Sequence, residues 1–308
     1  MKALCVWLLL CLIWSSTWLC IKLGLRDLPP VSFAAIRFLI AAFVLLAIAI
    51  AQRTGMPRKQ RDWMLIGVTG ILSFAVNYGL LFWGEQYISS GLAAVLQATI
   101  PAFGLLIAHY YLPHEQLTLL KIGAVGLGIG GVAIIFSDQL HVAGRLALWG
   151  SIAVVCGALA VAYANVLVKK YAGHLRPSAL AAGQMFCGII PLLSLGGIRE
   201  GNPLKFHWTM LAVAALLYLA LVGSVAAFLL YYWLLKHMDV TKTMLISLVT
   251  PLFAVIIGWL VLGETLMRRT LVGGACILLG IALILTRRDA RHAAHDLIED
   301  TQPGAEAI

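Results

Sequence analysis

The chain has 308 residues, of which 62% are hydrophobic and 11% charged. A soluble domain carries about 25% charged residues. This composition cannot cover a water-facing surface, so it excludes an ordinary soluble enzyme and predicts an all-α protein embedded in a lipid bilayer. The net charge of +9 points to no nucleic acid, because the basic residues cluster in short loops beside apolar runs, where they orient helices.

A helix needs about 20 apolar residues to cross the hydrocarbon. Ten segments qualify in chain order, near 3–22, 31–51, 63–83, 90–111, 118–136, 147–168, 177–197, 209–235, 240–262 and 270–286. The first, Ala3–Ile21 behind Lys2, is read as an uncleaved helix, since no cleavage pattern follows it. The connectors carry helix breakers, as in Asp27-Leu28-Pro29-Pro30 and Arg199-Glu200-Gly201-Asn202-Pro203. With the N-terminus inside, 14 of the 22 Lys and Arg fall on the inner side and 7 outside, which predicts both termini in the cytoplasm and a polar cytoplasmic tail over 287–308. The six cysteines all lie within apolar runs. They read as small buried hydrophobes, with no metal site.

The stretch Leu65–Phe136 recurs 150 residues later without a gap. Trp83 matches Trp233, Pro101 matches Pro251, Gly123 matches Gly273 and Gly130 matches Gly280. A weaker echo joins the starts of the halves: Pro30 precedes Arg37 by seven residues, as Pro177 precedes Gln184. Five spans per half is an odd number, so a duplicated second half enters from the opposite face. The predicted architecture is ten transmembrane helices as two inverted five-helix repeats, 1–137 and 147–286, with a cavity between them near the bilayer midplane.

At these residues the chain resembles the EamA family of permeases in the drug/metabolite transporter superfamily. Ile13-Trp14-Ser15-Ser16-Thr17-Trp18 is similar to the family's opening motif, and Pro29-Pro30 followed by Ile36-Arg37-Phe38 to its second helix. Ser90-Gly91-Leu92-Ala93-Ala94 leading to Pro101 is similar to its fourth, and Gly263-Glu264 with Gly273-Gly274 and Gly280 to its close. The resemblance implies a bacterial inner-membrane carrier of small metabolites, exporting amino acids or related compounds.

Polar groups in hydrocarbon face protein or a water-filled cavity. Arg37 lies roughly 9 Å along its helix at about 1.5 Å per residue. It reads either as a counter-charge for a substrate carboxylate or a coupling acid, or as an interhelical arginine. Trp14, Ser15 and Trp18 combine ring faces with a hydroxyl and are candidates to line the cavity. Asn77, Tyr78 and Gln97 in the first half, and Tyr163, Asn165, Gln184, Tyr232 and Ser247 in the second, are the remaining candidate substrate contacts, each weighed against plain interhelical bonding. Pro101 and Pro251 are expected to kink their helices mid-span and to serve gating. Gly126 and Gly130 read as a close helix contact, within the chain first and between two copies second. Glu85, Glu115 and Glu264 read as helix-end caps.

No nucleotide, zinc-protease, hydrolase or dinucleotide motif occurs. No catalytic residue, metal or cofactor is therefore expected, and an ATP-driven pump is disfavoured. The expected activity is alternating-access transport of a small amphipathic metabolite, with multidrug efflux and a non-transporting membrane binding protein as rivals. Proton coupling and homodimer formation stay open.

Overall fold

The structure, a computed structural model, describes residues 2–53, 57, 59–85, 87–88, 90–113, 115–135, 137, 144–262 and 268–285. Glu264 and the 287–308 tail lie outside the described residues, as do the side chains of Trp18 and Glu85.

The described residues form helices and no strands, as a chain that must satisfy its own backbone hydrogen bonds in lipid requires. In order, they are α1 (Lys2–Gly24), α2 (Pro30–Ala51), α3 (Gln60–Gly70), α4 (Asn77–Glu85), α5 (Ser90–Gln97), α6 (Ile100–Tyr111) and α7 (Leu119–Ile135). There follow α8 (Gly144–Tyr171), α9 (Pro177–Arg199), α10 (Met210–Ala220), α11 (Ala227–His237), α12 (Val240–Met244), α13 (Ile246–Leu262) and α14 (Arg268–Leu285). Among the described residues, six helical runs are long and apolar enough to cross a membrane: Lys2–Ile21, Pro30–Ala51, Gln60–Leu81, Gly144–Tyr171, Pro177–Arg199 and Met210–His237. Val95–Tyr111, Leu119–Ile135 and Val240–Phe253 are shorter apolar helices.

Two expected rods are broken. The segment near 90–111 divides at Ala98–Thr99 into α5 and α6, and that near 240–262 divides at Leu245 into α12 and α13. Pro101 consequently sits in the first turn of α6, where its missing N–H would have had no helical partner. It starts a helix rather than kinking one. Pro251 does lie within α13. It leaves the Ser247 carbonyl, four residues back, without its helical donor.

Two further runs are continuous but locally underwound and widened. Ile71–Val76 joins α3 to α4, and Leu221–Ala226 joins α10 to α11, each as a π-helical turn. The two lie 150 residues apart, and no residue pattern in the chain announced them.

Helices pack across the chain in reciprocal pairs. α2 lies against α9 and α7 against α14; α1 meets α13 while α6 meets α8; α4 meets α8 while α11 meets α1. The α7–α14 contact is the most extensive of those described. A Cβ added at Gly131 would stand 2.5 Å from the Gly273 carbonyl oxygen, and one added at Gly280 2.5 Å from that of Ala124. The expected pair Gly126 and Gly130 has no neighbour within 4 Å of an added Cβ. Gly128 and Gly131 on the adjoining face make the approach instead.

Two helix starts are capped by carboxylates from distant parts of the chain. Pro29 and Asp239, the residues preceding α2 and α12, make no side-chain cap, which leaves free backbone donors at both starts. Glu200 accepts from Val31 N at 2.9 Å and Ser32 N at 2.6 Å. Glu115 accepts from Val240 N at 2.6 Å, Thr241 N at 3.1 Å and Thr241 Oγ1 at 3.0 Å. Glu115 is thus a cap, as its sequence position suggested, but for a helix 125 residues onward and not for α7.

Candidate functional site

A cavity of about 250 Å³ lies inside the bundle, near the small end of the ~300–1,000 Å³ typical of ligand sites. Its wall comes from α1, α2, α4, α5, α6, α8, α10, α11, α12 and α13 together with the first π turn. Toward one end the lining runs to Ile21, Leu25, Pro30 and Phe33 by the α1–α2 turn, where Leu25 is exposed. Toward the other it stops at Thr243 and Met244, both buried.

That second end is laced shut. Besides the Glu115 cap, Trp7 Nε1 donates to the Lys242 carbonyl at 3.1 Å, tying α1 to α12. Lys169 Nζ donates to the carbonyls of Leu235 and Met238, each at 2.6 Å, and closes the C-terminus of α11. Burial pushes the Glu115 carboxyl above its usual range, against the lowering effect of the Val240 and Thr241 hydrogen bonds.

Eight of the twelve candidate contacts line the cavity: Trp14, Arg37, Asn77, Tyr78, Gln97, Asn165, Tyr232 and Ser247. Pro251 lines it as well. The aromatic wall is continuous. Trp14 stands 5.8 Å from Phe228 and 5.2 Å from Tyr231 between ring centroids, and Phe228 is 6.0 Å from Tyr232. The polar side carries amides: Gln97 Nε2 donates to Asn77 Oδ1 at 3.2 Å, and Asn165 pairs with the Tyr231 hydroxyl.

Arg37 is 6% exposed. Its Nε donates to Ser224 Oγ at 2.9 Å and its Nη2 to the Gly223 carbonyl at 3.3 Å. Trp14 Nε1 donates to the same carbonyl at 3.3 Å. Gly223 and Ser224 belong to the second π turn. The wide turn presents the carbonyl sideways to two partners, as such turns do where helices carry function.

The structure separates three other candidates from this group. Ser15 donates to the Cys11 carbonyl one turn back, at 2.6 Å. Gln184 is fully buried; its amide donates to Thr69 Oγ1 and accepts from the Tyr232 hydroxyl, so both ends are committed between helices. Tyr163 faces a separate apolar groove beside Tyr111, with their hydroxyls 3.3 Å apart. Trp18 lies outside the described side chains. Residues not foreseen are Phe228, Thr243, Thr250 and Ser73, all on the cavity wall. The polar ones escaped notice because a hydroxyl in a membrane helix usually bonds its own backbone.

An apolar helical bundle that encloses a small aromatic and polar cavity is a membrane-embedded protein with an internal chamber. The family model of the EamA-like transporter family matches residues 1–137 and 148–286. The chain belongs to that family. It is similar to the uncharacterized transporter YoaV of Bacillus subtilis, with 29% identity covering 88% of this chain and 92% of that one. It is also similar to the uncharacterized inner membrane transporter YedA of Escherichia coli K12, at 28% identity over 89% and 87% of the two chains. Protein PagO of Salmonella typhimurium is 26% identical over 92% and 93%. A protein of known crystal structure superposes with a TM-score of 0.79 at 17% identity, over 92% of this chain and 96% of that one. This last likeness concerns the fold alone.

Proposed function

We propose that the protein is a secondary carrier that moves small amphipathic metabolites, amino acids or related compounds, outward across the inner membrane by alternating access, with both termini in the cytoplasm. The observation that carries this reading is the central cavity, which reaches the surface beside the α1–α2 turn and is tied shut at the opposite end. Such a site can serve both faces if the ties at one end break as ties at the other form.

The reciprocal helix contacts and the π turns 150 residues apart support two inverted five-helix repeats over 1–137 and 147–286. A cavity lined by aromatic rings and amides suits a ligand with one apolar and one polar end. Efflux of neutral lipophilic compounds fits less well, because it brings no counter-charge to the buried Arg37.

The reading is tested with purified protein in liposomes loaded with radiolabelled amino acids and related carboxylates. Carrier activity predicts saturable release that exceeds empty vesicles and is accelerated by unlabelled substrate on the far side. Release no faster than from empty vesicles for every compound would remove the proposal.

A further inference from the structure

Arg37 supplies the only charge on the described cavity wall. A guanidinium does not give up its proton in a protein, and a buried charge without a counter-charge costs several kcal/mol. The two hydrogen bonds it makes go to neutral oxygens, Ser224 Oγ and the Gly223 carbonyl. The ionisable groups that act on it are Tyr78 and Cys20, neither of them a carboxyl. The described ion pairs, His174–Asp62, His207–Asp27 and Lys242–Asp239, involve other residues.

The anchoring is also one-sided. Nε and Nη2 hold the group against the π turn, while five N–H donors are available on a guanidinium. Phe38 covers the guanidinium at 4.9 Å from its ring centroid. The planar fork is therefore fixed in place with donors left for a carboxylate, which it matches in two-point geometry. Trp14, Phe228, Tyr231 and Tyr232 line the same cavity, and no Asp or Glu that could hold an ammonium lines the described wall.

We infer that the cavity selects net anions: monocarboxylates with an aromatic or branched apolar body, bound with the carboxylate on Arg37, in preference to the corresponding amino acids and still more to the amines. The inference rests on the carrier reading for its biological sense, but binding alone tests it. Three probes share one ring and differ only in charge: 3-(4-hydroxyphenyl)propionate, tyrosine and tyramine. Affinities are measured with the full chain in nanodiscs, by calorimetry and by the shift in melting temperature, in a buffer free of carboxylates and low in chloride.

The acid should bind at least tenfold tighter than tyramine, with tyrosine between them. Arg37→Gln should erase the ranking, and Arg37→Lys, which keeps a point charge, should restore part of it. Equal binding of acid and amine, a preference that survives in R37Q, or no binding of any of the three at millimolar concentration would overturn the inference. So would an equal shift from chloride, which would leave the aromatic wall without a role. An R37Q protein that does not fold is replaced by Ser224→Ala, which frees the guanidinium from its Nε anchor and should cut the acid-over-amine ratio several-fold. Liposome counterflow separates this from the carrier proposal. Acid that binds through Arg37 without crossing would leave the site and remove the carrier, whereas tyramine that crosses while the acid does not would leave the carrier and remove the site.

Discussion

Replacing Glu115 by alanine should open the closed end of the cavity. Its carboxylate accepts two backbone N–H groups and one hydroxyl at the start of α12, and Val240 and Thr241 are fully buried. Removal leaves two buried donors unsatisfied, since the Thr241 hydroxyl can rotate elsewhere. At about 1.5 kcal/mol for each, in the lower part of the usual range, the two together cost about 3 kcal/mol. With about 1.4 kcal/mol per tenfold, the ratio of open to closed forms should rise by roughly two orders of magnitude. Glu115→Gln keeps one accepting oxygen and no charge, as the protonated acid does, and should stay near the parent. The readout is labelling of Ser247→Cys, in a background lacking the six native cysteines, by an impermeant maleimide in vesicles of known sidedness. From the α12 side the labelling rate should rise ~100-fold in Glu115→Ala while it falls from the α1–α2 side. A rate unchanged within about twofold of the parent would refute the role of the cap, given the cost expected for two orphaned donors. The pH dependence has a definite sign. Burial raises the Glu115 pKa in the closed form, so that form holds its proton more readily; its advantage is present in acid and is lost as the pH rises from the ordinary value of 4.5 through the raised one.

Three further outcomes are expected. Gly131→Val would drive side-chain atoms into the Gly273 carbonyl and Ile277; overpacking of about 1–3 kcal/mol or more should lower the melting temperature in detergent, whereas Gly126→Val, with open space before it, should not. Gln184→Leu strands the Tyr232 hydroxyl and takes one donor from Thr69, whose hydroxyl keeps its bond to the Leu65 carbonyl, at about 0.6–2 kcal/mol, so thermal stability should fall while ligand affinity, measured by calorimetry, changes by less than about threefold. Asp27 accepts from Thr209 Oγ1 at 2.6 Å, and that hydrogen bond holds its carboxyl below the usual range. Its contribution to stability is present above the ordinary value of 3.8 and fades as the pH drops through the lowered one, so the acid-side fall in melting temperature should be shallower in Asp27→Asn.

The helical class and the cavity's polar side were legible because they rest on composition and on polar residues placed where lipid forbids them without cause. Arg37, Asn77 and Gln97 stand out in any apolar run, and all three line the cavity. Gln184 looked the same by that criterion. It differs only in having Thr69 and Tyr232 within reach, a fact of packing between residues 48 and 115 positions apart. The same distance hid the capping role of Glu200 and the true target of Glu115. Spacing located the glycine-rich face of α7 but missed its direction: Gly126-x-x-x-Gly130 and Gly128-x-x-Gly131 lie on one helix, and only contact with α14 distinguishes them. The π turns depend on how α10 and α11 dock, and neither Leu221–Ala226 nor Ile71–Val76 contains a proline to mark the change.

The widened turn at Leu221–Ala226 has a geometric effect on everything beyond it. A π turn accommodates about one more residue than the α turn it replaces, and each residue advances an α-helix by roughly 100°, at 3.6 per turn. In an unbroken α-helix with the same docking upstream, Phe228, Tyr231 and Tyr232 would be swung by about that angle, away from Trp14 and toward the neighbouring helices or the lipid. The ring-lined face of the chamber therefore owes its aim to a single surplus residue upstream. Deleting one residue between Leu221 and Ala226 would turn that face while leaving every ring in the chain.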